Sequence, residues 1–182
     1  APEQPALIPA IHAAYEDWPR ALADQQEIVR LAEPFPSPGE LAHMAELSVL
    51  AEVTGEEQQA ICTRAVSLAA QSGARKSLAV ALRARSRMYL AQERWERAEQ
   101  DLRQALETFK AMDLPWEQGQ TLACLSQFHQ RRAARQPEVG THHLGLARLF
   151  REQALGFFES LHAVHDARRI REEMAEESEA VK

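Results

Sequence analysis

The feature that most constrains this chain is that it repeats itself. The run YLAQERWERAEQDLRQALETF, residues 89–109, has a copy 40 residues upstream in VLAEVTGEEQQAICTRAVSLA, where Gly55 takes the place of Trp95, Gln58 of Ala98 and Ala65 of Ala105. A second copy lies 77 residues upstream: WPRALADQQEIVRLA sets Trp18 on Trp95, Ala21 on Ala98 and Ile28 on Ala105. Downstream, GQTLACLSQFHQRRA keeps the register of the segment before Trp95, with Leu122 on Leu82, Ser126 on Ser86 and His129 on Tyr89. GLARLFREQALGFFESL joins the series after nine extra residues, with Ala147 on Ala98 and Ala154 on Ala105. Such a chain solves one packing problem several times, because a single copy cannot hide its own apolar stripe.

Each copy reads as two amphipathic helices and a tight turn. Leu, Ala, Glu, Gln and Arg dominate, which is a composition of helix formers, and no apolar alternation of period two marks a strand. The spacing therefore predicts a single all-α domain over 1–182, with hairpins at about 5–33, 38–72, 75–112 and 115–161 and a last helix at about 164–179. A first helix should end near Tyr15, and Asp17 should cap the next with Pro19 in its first turn. The Pro34-Phe35-Pro36-Ser37-Pro38-Gly39 run, Thr54-Gly55, Gly73 and Asp113-Leu114-Pro115-Trp116 supply the breaks. The nine surplus residues, about 133–141 (AARQPEVGT), read as a polar loop between helices, a place where function often sits. Val164, Ala167, Ile170 and Met174 share one face of an otherwise charged tail, as a capping helix requires. Small residues mark the points where helix axes come closest: Ala21, Ala98 and Ala147 at one recurrent contact, Ser86 and Ser126 at another.

The order Leu82, Ser86, Tyr89, Trp95, Ala98, Leu102, Ala105 resembles the tetratricopeptide pattern of large apolar, small, Tyr, aromatic, Ala, large apolar, Ala. Numbered from Ala79, Leu82 falls at repeat position 4, Ser86 at 8, Tyr89 at 11, Trp95 at 17, Ala98 at 20 and Ala105 at 27. Glu93 replaces the usual turn Gly, and Lys110 the usual terminal Pro. The resemblance implies antiparallel helix-hairpin repeats, about four, stacked as a right-handed α-solenoid whose first helices line a concave groove. Carried onto this sequence, the groove positions fall on Arg83, Arg87, Leu90 and Ala91, on Ala123, Gln127, Gln130 and Arg131, and on His43 and Leu47. Arg83, Arg87, Gln127 and Arg131 would form a polar, positive wall for a carboxylate or an acidic peptide, since guanidinium pairs carboxylate through two bonds. The same charges could instead solvate an empty groove or pair with the acidic N-terminal third. The Lys and Asn pattern of chaperone-binding carboxylate clamps is not matched.

Charge is uneven along the chain. Residues 1–73 carry 3 basic and 11 acidic side chains, 74–135 carry 12 and 7, and 136–182 carry 6 and 9. Cys62 and Cys124 fall on apolar helix faces without partners at ligand spacing, as buried reduced thiols of a cytoplasmic protein would. His142-His143 and His162 with His165 lack the further ligands of a recognised metal site, and no cofactor is expected. No nucleophile elbow, phosphate loop or separated carboxylate pair argues for an enzyme. The clusters at Arg85–Arg87 and Arg131–Arg135 lack interleaved aromatics, which argues against nucleic-acid contact. No run is long and apolar enough for a membrane span. The chain opens Ala1-Pro2-Glu3 without a Met, which reads as a domain taken from something longer.

Two phrases, ALETFKAMDLPWEQGQTLACLSQ and ALGFFESLHAVHDARRIREE, are similar to units in the C-terminal sensor regions of bacterial signalling ATPases such as MalT- and LuxR-type transcription activators. That resemblance, over about residues 77–174, implies a non-catalytic interaction or sensor domain of a larger regulator. It would present a partly basic groove to a peptide segment or to another domain of the parent chain. Two alternatives remain open at this point. One is a small-molecule effector site with Trp116 and Phe128 as stacking surfaces; the other is a self-association module acting through apolar end faces.

Overall fold

The structure, a computed structural model, describes residues 17–180. Among these residues every regular element is helical: α1 Trp18–Leu31, α2 Pro38–Leu50, α3 Gly55–Gln71, α4 Arg75–Ala91, α5 Trp95–Ala111, α6 Pro115–Arg135, α7 Gly140–Ser160 and α8 Val164–Ala180. The helix anticipated up to Tyr15 lies outside the described residues. No helix among them is long and apolar enough to cross a membrane.

Local chemistry sets the helix ends. The Asp17 carboxylate accepts from the Arg20 backbone N–H at 3.4 Å, so α1 starts where its cap stands, with Pro in the first turn. Ser37 and Glu40 form a reciprocal capping box at the start of α2: Ser37 Oγ takes the Glu40 N–H at 3.2 Å, and the Glu40 carboxylate takes the Ser37 N–H at 2.8 Å.

Five of the connections are one turn used five times. The backbone N–H of Val53 donates to Ser48 C=O, Ala74 to Ala69, Arg94 to Tyr89, Leu114 to Phe109 and Ala163 to Phe158, at 2.8–3.0 Å. In each, the residue before the donor is left-handed: Glu52, Gly73, Glu93, Asp113 and His162 have φ of 57°, 67°, 56°, 51° and 54°. A 6→1 bond closing over a left-handed residue satisfies carbonyls that the ending helix leaves open, and it folds the chain back on itself. Only one of the five uses Gly, although four of them place an L-side chain where its Cβ crowds the backbone.

The expected loop at 133–141 is mostly helix instead. Helix α6 runs on through Ala133, Ala134 and Arg135, residues Pro137–Val139 make one 3-10 turn, and Gly140 already opens α7. Ala and Arg are strong helix formers, so the extra length is taken up by longer helices of 21 residues each.

The chain divides into two compact units, the first ending at Asp101 and the second beginning at Leu102. In the first, α1 packs on α2, α2 on both α3 and α4, and α3 on α4. In the second, α6 packs on α7 and α7 on α8. The recurrent small residues sit where the repeat puts them: Ala21, Ala98, Ala65, Ala105 and Ala154 are fully buried, and Ala147, Ser86 and Ser126 nearly so. Trp95 is buried, and its counterpart Trp18 is half-buried. Between α6 and α7 the approach is close enough for Ser126 Oγ to donate to Ala147 C=O at 2.8 Å. A Cβ on Gly119 would stand 2.8 Å from Cε1 of the fully buried Phe158.

Candidate interaction surfaces

Three arginines alternate along α4, and the helix sends them to different places. Residues four apart share a face, so Arg83 and Arg87 lie one turn from each other while Arg85 points elsewhere. Arg83 is buried between α4 and α2, where its Nε and Nη2 donate to one Glu46 oxygen at 3.0 and 2.5 Å. Its carboxylate thus comes from the acidic N-terminal third of the chain itself, which commits Arg83 to the interior. Arg87 is half-buried on the same face and forms no ion pair among the described residues. His43 stands exposed on α2.

Arg85 turns to the start of α5. Its Nε and Nη2 reach the two oxygens of buried Asp101 at 2.7 and 2.9 Å, a fork-to-fork pair that raises the Arg85 pKa further, against the opposing pull of burial. Nearby, burial pushes the Cys62 thiol up to about 11, with Arg85 lowering and Asp101 raising it to lesser degrees. One turn beyond Arg85, the half-buried Tyr89 ring carries three guanidinium carbons around its centroid: Arg94 at 4.8 Å, Arg85 at 5.5 Å and Arg97 at 5.9 Å. The sequence reading passed over this cluster. Its signal was the i, i+4 spacing of Arg85 and Tyr89, followed by two further arginines across a tight turn.

In the second unit, α6 presents Gln127 and Gln130 half-buried and Arg131 exposed. The neighbouring positions are committed to the interior. Phe128 is fully buried and so offers no stacking platform. His129 stands Nδ1 to Nδ1 at 2.7 Å from buried His143 of α7, and its ring stacks on His143 and Phe150 with centroids 4.9 and 5.4 Å away. One Nδ1 donates and the other accepts, so the two rings use the same nitrogen in opposite roles. Trp116, half in solvent, donates its indole N–H to Asp166 of α8 at 3.3 Å, and Gln120 reaches the other Asp166 oxygen at 2.7 Å. Among the described residues no group of three His, Cys, Asp or Glu is gathered for a metal ion. Both cysteines are free, Cys62 buried and Cys124 half-buried.

The first unit also holds a groove of about 810 Å³ between the Pro34–Pro36 linker, Leu41 and one stripe of α3 that includes Ala60, Thr63 and Ser67. Arg64 of that stripe is ion-paired to Glu33. Phe35, within that linker, and Leu31, the last residue of α1, are 88% and 67% exposed, unusual for side chains of that size.

No model of a known protein family matches the chain, and no curated protein does. Among solved structures, the crystal structure of BtubC (BKLC) from P. vanneervenii is similar over 94% of this chain and 80% of that one, with a TM-score of 0.53 and 18% identity. The likeness is one of fold. It sets an all-helical chain beside another protein of the same build and assigns no activity, partner or ligand.

Proposed function

We propose that this chain is a non-catalytic interaction domain of tetratricopeptide type, part of a larger bacterial regulator, that takes up a peptide segment or partner domain on the first helices of its hairpins. The observation that carries this reading is Arg87. The arginines two and four residues before it are each neutralised by an acid, whereas Arg87 is half-withdrawn from water with no carboxylate of its own among the described residues. Holding a cation partly desolvated without an anion is unfavourable, so its site is completed by a carboxylate from outside. In the second unit, Arg131 with Gln127 and Gln130 offers a comparable combination of charge and amides on α6.

The test is fluorescence anisotropy with a fluorescein-labelled short peptide of Glu and Leu. Arg87→Glu should weaken binding by the first unit about tenfold, a change of ~1.4 kcal/mol, Arg131→Glu should do the same for binding by the second, and both should leave the melting curve unchanged. Binding insensitive to both substitutions overturns the reading. A second reading, uptake of a small-molecule effector, is favoured by the 810 Å³ groove, a size that suits such ligands. A metabolite screen that raises the melting temperature would select it.

A further inference from the structure

We infer that the turn between α4 and α5 is a second docking point, built from Arg94, Arg97 and Tyr89, for an acidic protein segment presenting two neighbouring carboxylates. The inference rests on the reading of the chain as an interaction domain and uses residues other than the groove positions assigned above. Arg94 is held by its own backbone, whose N–H donates to the Tyr89 carbonyl at 2.9 Å, and its side chain lies over the ring of that same tyrosine. Arg97, on the first turn of α5, approaches the ring from its own position and is exposed.

The third cation at the ring, Arg85, is cancelled by Asp101, which also fixes α4 against the start of α5. Arg94 and Arg97 have no carboxylate partner among the described residues. Stacking engages the flat face of a guanidinium and leaves its N–H edge free, and the N–H edge is the part that grips a carboxylate with two parallel bonds. The aromatic ring thus holds the Arg94 guanidinium in place before any ligand arrives, which lowers the entropy lost on binding, with Arg97 at the edge of its reach.

Two guanidinium edges, on Arg94 and Arg97, match two neighbouring carboxylates. The surrounding chain is acidic overall, with a net charge of −6, which disfavours a long polyanion and suits a compact segment.

The experiment uses the full chain and three labelled peptides identical except at two central positions, which hold Glu-Glu, Gln-Gln or phosphoserine-Gly. Vesicles containing phosphatidylserine serve as a fourth probe. Arg94→Gln with Arg97→Gln should weaken Glu-Glu binding at least tenfold and flatten its salt dependence, while Tyr89→Phe, which keeps the ring, should leave it unchanged. Tyr89→Leu should weaken binding although both arginines remain. Equal binding of the Glu-Glu and Gln-Gln peptides, tighter binding of phosphoserine or of vesicles, or indifference to the arginine pair would each overturn the inference. Loss of binding on changing Arg94 and Arg97 but not Arg87 and Arg131 upholds this site and removes the groove; the reverse removes this site and upholds the groove.

Discussion

Cys62 shows how far a single environment can be read as chemistry. Its thiol is buried beside the Arg85–Asp101 pair, and desolvation raises its pKa from 9.0 to about 11. A thiol in the unfolded chain ionises near the lower value, so the contribution of Cys62 to stability is complete below pH 9 and is lost as pH rises through 11. The urea midpoint should therefore fall between those pH values more steeply for the native chain than for Cys62→Ala. At neutral pH the folded protein should alkylate slowly at this position, because the thiolate is the reactive species. Arg83 makes a second residue-scale case. Glu46→Gln keeps the shape but removes the charge facing a buried guanidinium, and should cost about 1–3 kcal/mol in a denaturant titration. The sequence register sets Arg83 and Arg87 one helical turn apart. It could not tell them apart, because the difference lies in Glu46, a residue 37 positions away whose approach depends on α2 packing against α4.

At the scale of elements, the repeated turn is the part with sharp consequences. Gly73 has a φ of 67° with nothing within 4 Å of its missing Cβ, so Gly73→Ala carries a purely conformational penalty of about 1 kcal/mol. Glu52 occupies the equivalent place in the preceding turn at φ 57°, and Glu52→Gly should shift stability the other way by about 0.5–1 kcal/mol. Opposite shifts in melting temperature for these two variants would verify the shared turn; shifts of one sign would refute it. Gly119 is different, since its backbone is helical and its constraint is space. Alanine there would gain about 1 kcal/mol of helix propensity. It would also drive a Cβ to 2.8 Å from a Phe158 ring that has no room to retreat. Overpacking of this kind costs about 1–3 kcal/mol, so Gly119→Ala should be destabilising in net terms. The turns at Gly73 and at Asp113–Pro115 were legible because Gly, Asp and Pro stand there, and the one at Gln92–Arg94 because the repeat register puts it there. The stretch 133–141 was misjudged because Pro137 and Gly140 carry the composition of a loop, while helix propensity on either side absorbed the extra residues.

For the molecule as a whole, the all-helical build follows from the one apolar stripe that each hairpin must cover, and this is why periodicity alone revealed it. Which cations stay unneutralised was not legible, since neutralisation depends on contacts between copies. At the C-terminal end, α8 packs on α7, and Ile170 and Ala167 are buried residues of α8. Ile170→Ala should cost about 2–5 kcal/mol, and hydrogen exchange should quicken along α8 before it does along α6. The repeated turn has a further consequence. The joints after Gln71 and after Ala111 are the same piece of backbone, so the forty residues between them are bounded by identical connectors. A gene duplicating that block would need no new linker.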